Sequence, residues 1–135
     1  MTSSIPTSEF VTDTMGLVLR IERRRFGLKA KSIFEAVESG EAIIYVPALV
    51  FAEIFYLFEK QRITVSLHSV ADYMKQHPNF KEHPMNLAVI QSAAEITDIQ
   101  ELHDRLIAGA ARLLDLELIT NDPAIQASTF VKTLW

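Results

Sequence analysis

The stretch AIIYVPALVFAEIFYLFEK, residues 42–60, changes its pattern at a single proline. Ala42 to Val46 is short, apolar and rich in β-branched residues, as a strand buried on both faces of a parallel sheet reads. Pro47 closes that strand and suits the first turn of a helix, where a missing N–H removes no hydrogen bond. The segment that follows is helical in length and apolar as far as Phe58 except at Glu53. A strand that feeds straight into a helix is the repeating unit of an α/β fold.

The same alternation extends in both directions. Residues 1–8 read as a loose polar lead-in, and EFVTDT (9–14) as a short β-prone run ending at Asp13. A helical region follows, breaks near Gly27 and resumes as LKAKSIFEAVESG (28–40), where Ala30, Ile33, Phe34 and Val37 fall at helical spacing and Gly40 is a C-cap. ITVSLHSVADYMKQH (63–77) reads as a helix opening near Val65 or Ser66. HPNFKEHPMN (77–86) reads as a two-proline loop ending in a very short strand around Met85 to Leu87, and LAVIQSAAEI (87–96) is again helical. ELHDRLIAGAARLLD (101–115) is a strong helix, with Leu102, Leu106, Ala110 and Leu113 along one stripe and small Ala108, Gly109 and Ala111 allowing a neighbour to approach closely. LELIT (116–120) is a strand, PAIQAS (123–128) a short helix and FVKTLW (130–135) a last edge strand. The expected fold is α/β: a mostly parallel central sheet of about five short strands with flanking helices.

Length and composition agree with one compact domain over residues 1–135, since 135 residues with 49% apolar content suit one sizeable core rather than two. The absence of cysteine excludes disulfides, cysteine zinc sites and thiol nucleophiles, and a reducing cytoplasm fits. The first ten residues have no cationic start and no apolar core of a signal peptide, and Pro47 and Glu53 interrupt the longest apolar run, so no membrane role is expected.

A formal net charge of −4 gives no global attraction for a polyanion. The charge is nevertheless divided. RIERRRFGLKAK (20–31) holds six cations against Glu22 and carries +5, which leaves −9 on the rest of the chain. That stretch is either a solvated helix surface or an edge facing RNA.

Ligands of parallel sheets gather beyond the carboxyl ends of the strands, which directs attention to Asp13 and Asp122. Each also suits a helix N-cap, Asp122 especially with Pro123 behind it. Glu53 interrupts an otherwise apolar run, where an unpaired carboxylate costs several kcal/mol unless it is protonated, paired or coordinated. Asp104 opens the strongest helix, where an acid also favours the dipole, and Arg105 beside it either neutralises the acids or makes a surface pair. Four acids at such positions can converge on one pocket, and hard divalent cations take such oxygen ligands. No Ser–His–Asp arrangement is supported, and His103 beside Asp104 reads as a bystander. Phe51, Phe55, Tyr56 and Phe58 read as core or as an interface.

The pattern FVTDT … VPALVFAEIFYLFEK … ELHDRLIAGAARLLDLELITNDPAI resembles the PIN-domain family, and the chain's size is similar to that of single-domain VapC-type toxins of toxin–antitoxin modules. The most specific parts are HDRLIAGAA, similar to the family's D-R-L-I-A-A-T-A helix start, and LITND, similar to its L-x-T-x-D strand end. The family's four acids fall on Asp13, Glu53, Asp104 and Asp122, and Thr120 matches the Ser or Thr two places before the last. Thr12, Pro47 and Gly109 depart from the pattern without removing an acid. The resemblance implies a PIN-like three-layer fold and a ribonuclease using Mg²⁺ or Mn²⁺, held by Asp13, Asp104 and Asp122 with Glu53 direct or through water and Thr120 as an orienting group. It also implies an RNA substrate, a cognate antitoxin and a homodimer through the aromatic helical layer. A stand-alone PIN-like nuclease without an antitoxin and a non-catalytic binding module are the alternatives. A phosphoacceptor receiver domain needs paired acids at the first strand end and an acceptor Asp after the third, which VTDT and HPMNLAV do not supply.

Overall fold

The computed structural model describes residues 7–135. In chain order the elements are β1 (Ser8–Thr12), α1 (Thr14–Ile21), α2 (Leu28–Glu38), β2 (Ala42–Pro47), α3 (Ala48–Glu59), α4 (Leu67–Gln76), β3 (Phe80–His83), α5 (Leu87–Ala94), α6 (Leu102–Leu114), β4 (Leu118–Ile119), α7 (Pro123–Gln126) and β5 (Thr133–Leu134). The five strands form one sheet in the order β3-β2-β1-β4-β5, and every pairing is parallel. The expected α/β fold is therefore the one observed.

The strand order reverses beside β1. The chain first steps outward through β2 to β3, then crosses back to lay β4 on the other side of β1. With right-handed crossovers, that reversal sends the later helices to the opposite face of the sheet and opens a crevice at the carboxyl ends of β1 and β4. The register across the crevice pairs Val11 with Leu118 and Thr12 with Ile119.

The core surrounds this centre. Val11, Ile44, Val46, Leu118 and Ile119 are fully buried, and Leu17, Phe34, Val50 and Ile54 pack against them from the helices. Each such side chain contributes roughly 1.5–3 kcal/mol by leaving water. Turn chemistry closes the elements: Gly40 takes a left-handed φ of +83° after α2, and the Glu41 N–H returns to the Ala36 carbonyl. Ser66 and Asn86 cap α4 and α5 with their side-chain oxygens. Among the described residues no helix is long and apolar enough to cross a membrane.

Several boundaries differ from the sequence reading. Residues 1–6 of the expected lead-in lie outside the described residues, while Ser8 already belongs to β1 and pairs with Ala42. Pro47 is the last residue of β2, paired with His83, and precedes the helix instead of entering its first turn. The strand expected around Met85 to Leu87 is formed by Phe80–His83 between the two prolines, because an edge strand needs only one buried anchor and Phe80 supplies it. Asn86 and Leu87 instead start α5. In α6 the buried stripe runs through Ile107 to Ala111, whereas Leu102 and Leu113 are exposed. The apolar helix α3 is not buried all round either, since Phe55, Tyr56 and Phe58 are about half exposed.

The expected role of the small residues in α6 holds. A Cβ built on Gly109 meets the Ala93 Cβ at 2.7 Å and its backbone nitrogen at 2.8 Å, so α5 and α6 approach where only glycine fits. Gly109→Ala gains up to about 1 kcal/mol of helix propensity but forces the helices apart, at a cost of roughly 1–3 kcal/mol. The expected net result is a lower urea midpoint with an unchanged slope, measured by circular dichroism. A higher midpoint would show that α5 yields without strain.

Candidate active site

The acids singled out in the sequence come from four elements and meet beyond the carboxyl ends of β1 and β4. Asp13 follows β1 directly and caps α1. Its backbone N–H donates to the Ile119 carbonyl at 3.2 Å, and its Oδ1 accepts the Gly16 N–H at 2.8 Å. Sheet register thus fixes one end of the residue and the helix start fixes the other. Gly16 has no room for a side chain, because a Cβ there would stand 2.5 Å from Thr12 Oγ1 and 3.2 Å from Asp13 Oδ1. Thr12 itself is wholly buried, its hydroxyl donating to the Asp13 carbonyl.

On the neighbouring strand, Thr120 is also fully buried, and its Oγ1 accepts the Asp122 N–H at 3.1 Å. The Gln126 side-chain amide donates to the Thr120 carbonyl at 3.1 Å. This small turn aims Asp122 at α7, where one carboxylate oxygen accepts the N–H groups of Ala124 and Ile125 at 2.8 and 3.3 Å. The cap expected of Asp122 is therefore present, and its second oxygen is left for another role.

Glu53 lies half-buried in the second turn of α3 and accepts the Thr14 hydroxyl. Asp104 sits in the first turn of α6, its N–H donating at 2.7 Å to Glu101, the N-cap of that helix. Thr14, Gly16 and Glu101 are positioning residues that sequence reasoning did not single out. The Asp-Thr pair after β1 was the available signal for Thr14. Arg105 does not neutralise the acids, because its guanidinium reaches the Ala93 carbonyl. His103 faces Glu101 at 2.9 Å, in keeping with a bystander.

The electrostatics follow from this crowding. Burial pushes the Asp13 carboxyl up to about 6, Thr120 and Gly16 pull it back by hydrogen bonding, and the charges of Asp122 and Glu53 raise it again. Asp104 also rises to about 6, first through burial, then through Asp122, Glu101, Glu53 and Asp13. No Lys or Arg among the described residues forms an ion pair with any of the four acids. Nor do three His, Asp or Glu side chains among the described residues close into a ready-made metal cage. The four acids stand within one another's field with their charge uncompensated. What they offer chemically is a set of hard oxygen donors.

Beside Glu53 a hollow of about 470 Å³ is lined by Leu49, Ala52, Glu53, Tyr56, Leu57 and His103, mostly by apolar surface. It sets Glu53 beside Tyr56 of the exposed aromatic face of α3.

Comparison with known proteins places the fold. A family model described as PIN domain matches residues 11–130. Among solved structures, VapBC2 from Rickettsia felis bound to a promoter DNA fragment is similar with a TM-score of 0.70 at 15% identity, over 94% of this chain and 98% of that one. DNA-bound VapBC from Salmonella typhimurium gives 0.67 at 14% identity over 94% and 97%. FitAcB from Neisseria gonorrhoeae gives 0.65 at 16% identity over 93% and 96%. At such identities the likeness is one of fold. No curated protein is similar enough in sequence to match.

The raised Asp13 carboxyl makes stability depend on pH in a defined direction. An unfolded Asp titrates near 4 and the folded one at about 6, so between those values the folded protein binds more protons. The stability associated with this group is full below about pH 4 and is lost as pH rises through about 6. In EDTA at pH 8, Asp13→Asn, which keeps an acceptor for Gly16, is expected to raise stability by up to about 3 kcal/mol. The gain should narrow as pH falls from 6 to 4. Thermal melts across that range check it, and a pH-independent difference would contradict the assignment.

Proposed function

This chain belongs to the PIN domain family, and from that premise we propose that it is a metal-dependent endoribonuclease, the toxin of a VapBC-type toxin–antitoxin pair. The observation that carries the proposal is that Asp13, Glu53, Asp104 and Asp122 lie within one another's field and form no ion pair with a Lys or Arg among the described residues.

The donor set fits a hard divalent ion. Carboxylate oxygens repel one another until a proton or cation intervenes, and Mg²⁺ or Mn²⁺ binds through a few carboxylates plus water and phosphate oxygens. Asp13, Asp104 and Asp122 would hold the ion, with Glu53 binding directly or through a water. When bound, such an ion supplies charge neutralisation at the phosphate and lowers the pKa of water. The chain's own residues do the rest. Thr120 orients Asp122 through the N–H it accepts, Thr14 holds Glu53, and Gly16 holds Asp13 at the end of β1. With the acids fixed, water can attack the phosphorus opposite the departing oxygen, and that oxygen leaves with a proton.

An antitoxin partner is supported by the complexes among the similar structures and by the pocket itself. A polypeptide that lays apolar side chains along the hollow beside Tyr56 and places an arginine among the acids would satisfy both surfaces and exclude RNA. The half-exposed Phe55, Tyr56 and Phe58 support a homodimer through α3. We place the protein in the cytoplasm, where its substrate and partner would meet it. A stand-alone nuclease would share this chemistry and lack only the antitoxin.

Purified protein should cleave a mixed RNA pool in Mn²⁺ or Mg²⁺ and not in EDTA. Asp13→Asn and Asp122→Asn, each folded by circular dichroism, should reduce the rate at least about 100-fold. Equal rates in all three proteins would mean a contaminating nuclease and would remove support for the acid site. Addition of the cognate antitoxin should suppress cleavage, and undiminished turnover in a stable complex would count against occupation of the pocket.

A further inference from the structure

We infer that the loop joining α1 to α2 and the first turn of α2, together with Asn121 and Trp135, form a track that holds single-stranded RNA at the end of the sheet where the acids lie. Its cations would engage the phosphates, and Phe26 with Trp135 would provide a stacking surface for bases. This inference rests on reading the acid pocket as a ribonuclease site and adds where the strand lies.

Not all six cations of residues 20–31 are available to a ligand. Arg20 forks onto both carboxylate oxygens of Glu38, and Arg24 pairs with Glu22 at 3.0 Å. Arg23, Arg25, Lys29 and Lys31 are exposed and form no ion pair among the described residues. Four exposed cations close together make a local positive patch that a polyanion can use even though the chain is acidic overall.

The loop is also held in shape. Arg23 adopts a left-handed φ of 54°, its N–H returns to the Arg20 carbonyl, and the Arg24 N–H returns to that of Leu19. Glu22 then accepts both the N–H and the hydroxyl of Thr64, at 2.6 and 2.8 Å, which ties the loop to the segment before α4. Such anchoring presents Arg23 and Arg25 from a fixed backbone.

Two hollows give the track its direction. One, of about 550 Å³, is lined by Arg20, Arg23, Arg24, Arg25 and Lys31 with Phe26 and Leu28, and by a single acid, Glu35. The second, of about 490 Å³, shares Arg25, Phe26 and Leu28 and continues to Gly27, Trp135 and Asn121. Asn121 follows Thr120, whose N–H donates to the Leu134 carbonyl beside Trp135, so the second hollow lies at the same carboxyl end of the sheet as Asp13 and Asp122. Within it the Trp135 ring lies 5.6 Å from Phe26, and Trp135 packs on Gly27 so closely that a Cβ there would be 2.4 Å away.

Cations interleaved with aromatic rings suit a single strand, whose unpaired bases expose their faces for stacking. A DNA duplex hides those faces and would use the phosphate contacts alone.

The test measures binding apart from catalysis. A fluorescein-labelled mixed-sequence RNA of about 20 nucleotides is titrated with full-length protein in EDTA at several salt concentrations, with anisotropy as the readout. Arg25→Glu/Lys31→Glu should weaken binding at least about 10-fold and flatten the slope of log K against log salt by roughly 1.4, about 0.7 for each phosphate contact. Trp135→Ala should weaken binding about 10-fold while leaving the slope intact. Lys81→Glu/Lys132→Glu makes the same charge change at residues lining neither hollow and should alter neither quantity. An equal loss in that control, an unchanged slope in the first pair, or tighter binding of a duplex DNA of the same length through Arg25 and Lys31 would overturn the track. In Mn²⁺ the first pair should raise KM and leave kcat unchanged. If RNA binding depends on the track but no cleavage occurs, the track stands and the ribonuclease reading fails. If cleavage occurs with KM unmoved, the track fails and the ribonuclease reading stands.

Discussion

Mutual repulsion among four buried or half-buried carboxylates is the constraint around which the centre of this molecule is arranged. Protein cations do not relieve it; backbone N–H groups and hydroxyls relieve it only in part. Asp13 accepts from Gly16, Asp122 from Ala124 and Ile125, and Glu53 from Thr14. Asp13 caps α1, Asp122 caps α7 and Asp104 lies in the first turn of α6. Three helices therefore direct their positive ends at one place, which favours negative charge there by a few tenths to about 1 kcal/mol each. That is enough to assemble the acids but not enough to satisfy them, and Asp13 and Asp104, raised first by burial and then by neighbouring charge, stand at about 6.

Holding such a site together requires an uncompromising sheet beneath it. β4 is only two residues long, yet Leu118 and Ile119 are wholly buried and paired with β1 on one side and β5 on the other. The Asp13 N–H bond to Ile119 extends that register by one step into the loop. A slip of one residue would turn Leu118 and Ile119 to the wrong faces and move Thr120 and Asp122 away from Asp13. The hydrophobic core thus fixes the spacing of the acids, and the energy of burial offsets their repulsion.

How much of this was legible in the sequence depended on whether a feature is local or long-range. The strand at Ala42–Val46 and the helices opening at Ser66 and after Asp122 announce themselves through β-branched runs and caps. The sheet's alternation with helices was enough to give the fold class. The edge strand Phe80–His83 was missed because a single phenylalanine among charged residues has no periodicity. Of the stripe expected in α6 Ala110 is buried but Leu102 and Leu113 are exposed, because the buried face belongs to Ile107 and to small residues, Gly109 among them fitting against Ala93. The candidate acids could be found: Asp13 and Asp122 stood out at strand ends and Glu53 as a charge in an apolar run, whereas Asp104 had only its place at a helix start to mark it. Their supports could not: Thr14 reaches Glu53 across 39 positions of chain, a contact only the folded molecule reveals. Gly16 resembles any other helix glycine until Thr12 and Asp13 are in place.

The division of charge acquires a physical reading from the same geometry. A chain with −4 overall and −9 outside residues 20–31 repels a polyanion at long range, and at physiological salt its fields fade over about 8 Å. Any attraction for phosphate must therefore act locally, where cations are clustered. The loop after α1 is the one basic segment of that density in the sequence, and its second hollow reaches Asn121 between Thr120 and Asp122. An acidic pocket by itself would reject the phosphate backbone as strongly as it attracts a cation. In the proposed track, cations outside the acid cluster would hold the strand while the acids' charge stays available to a metal ion.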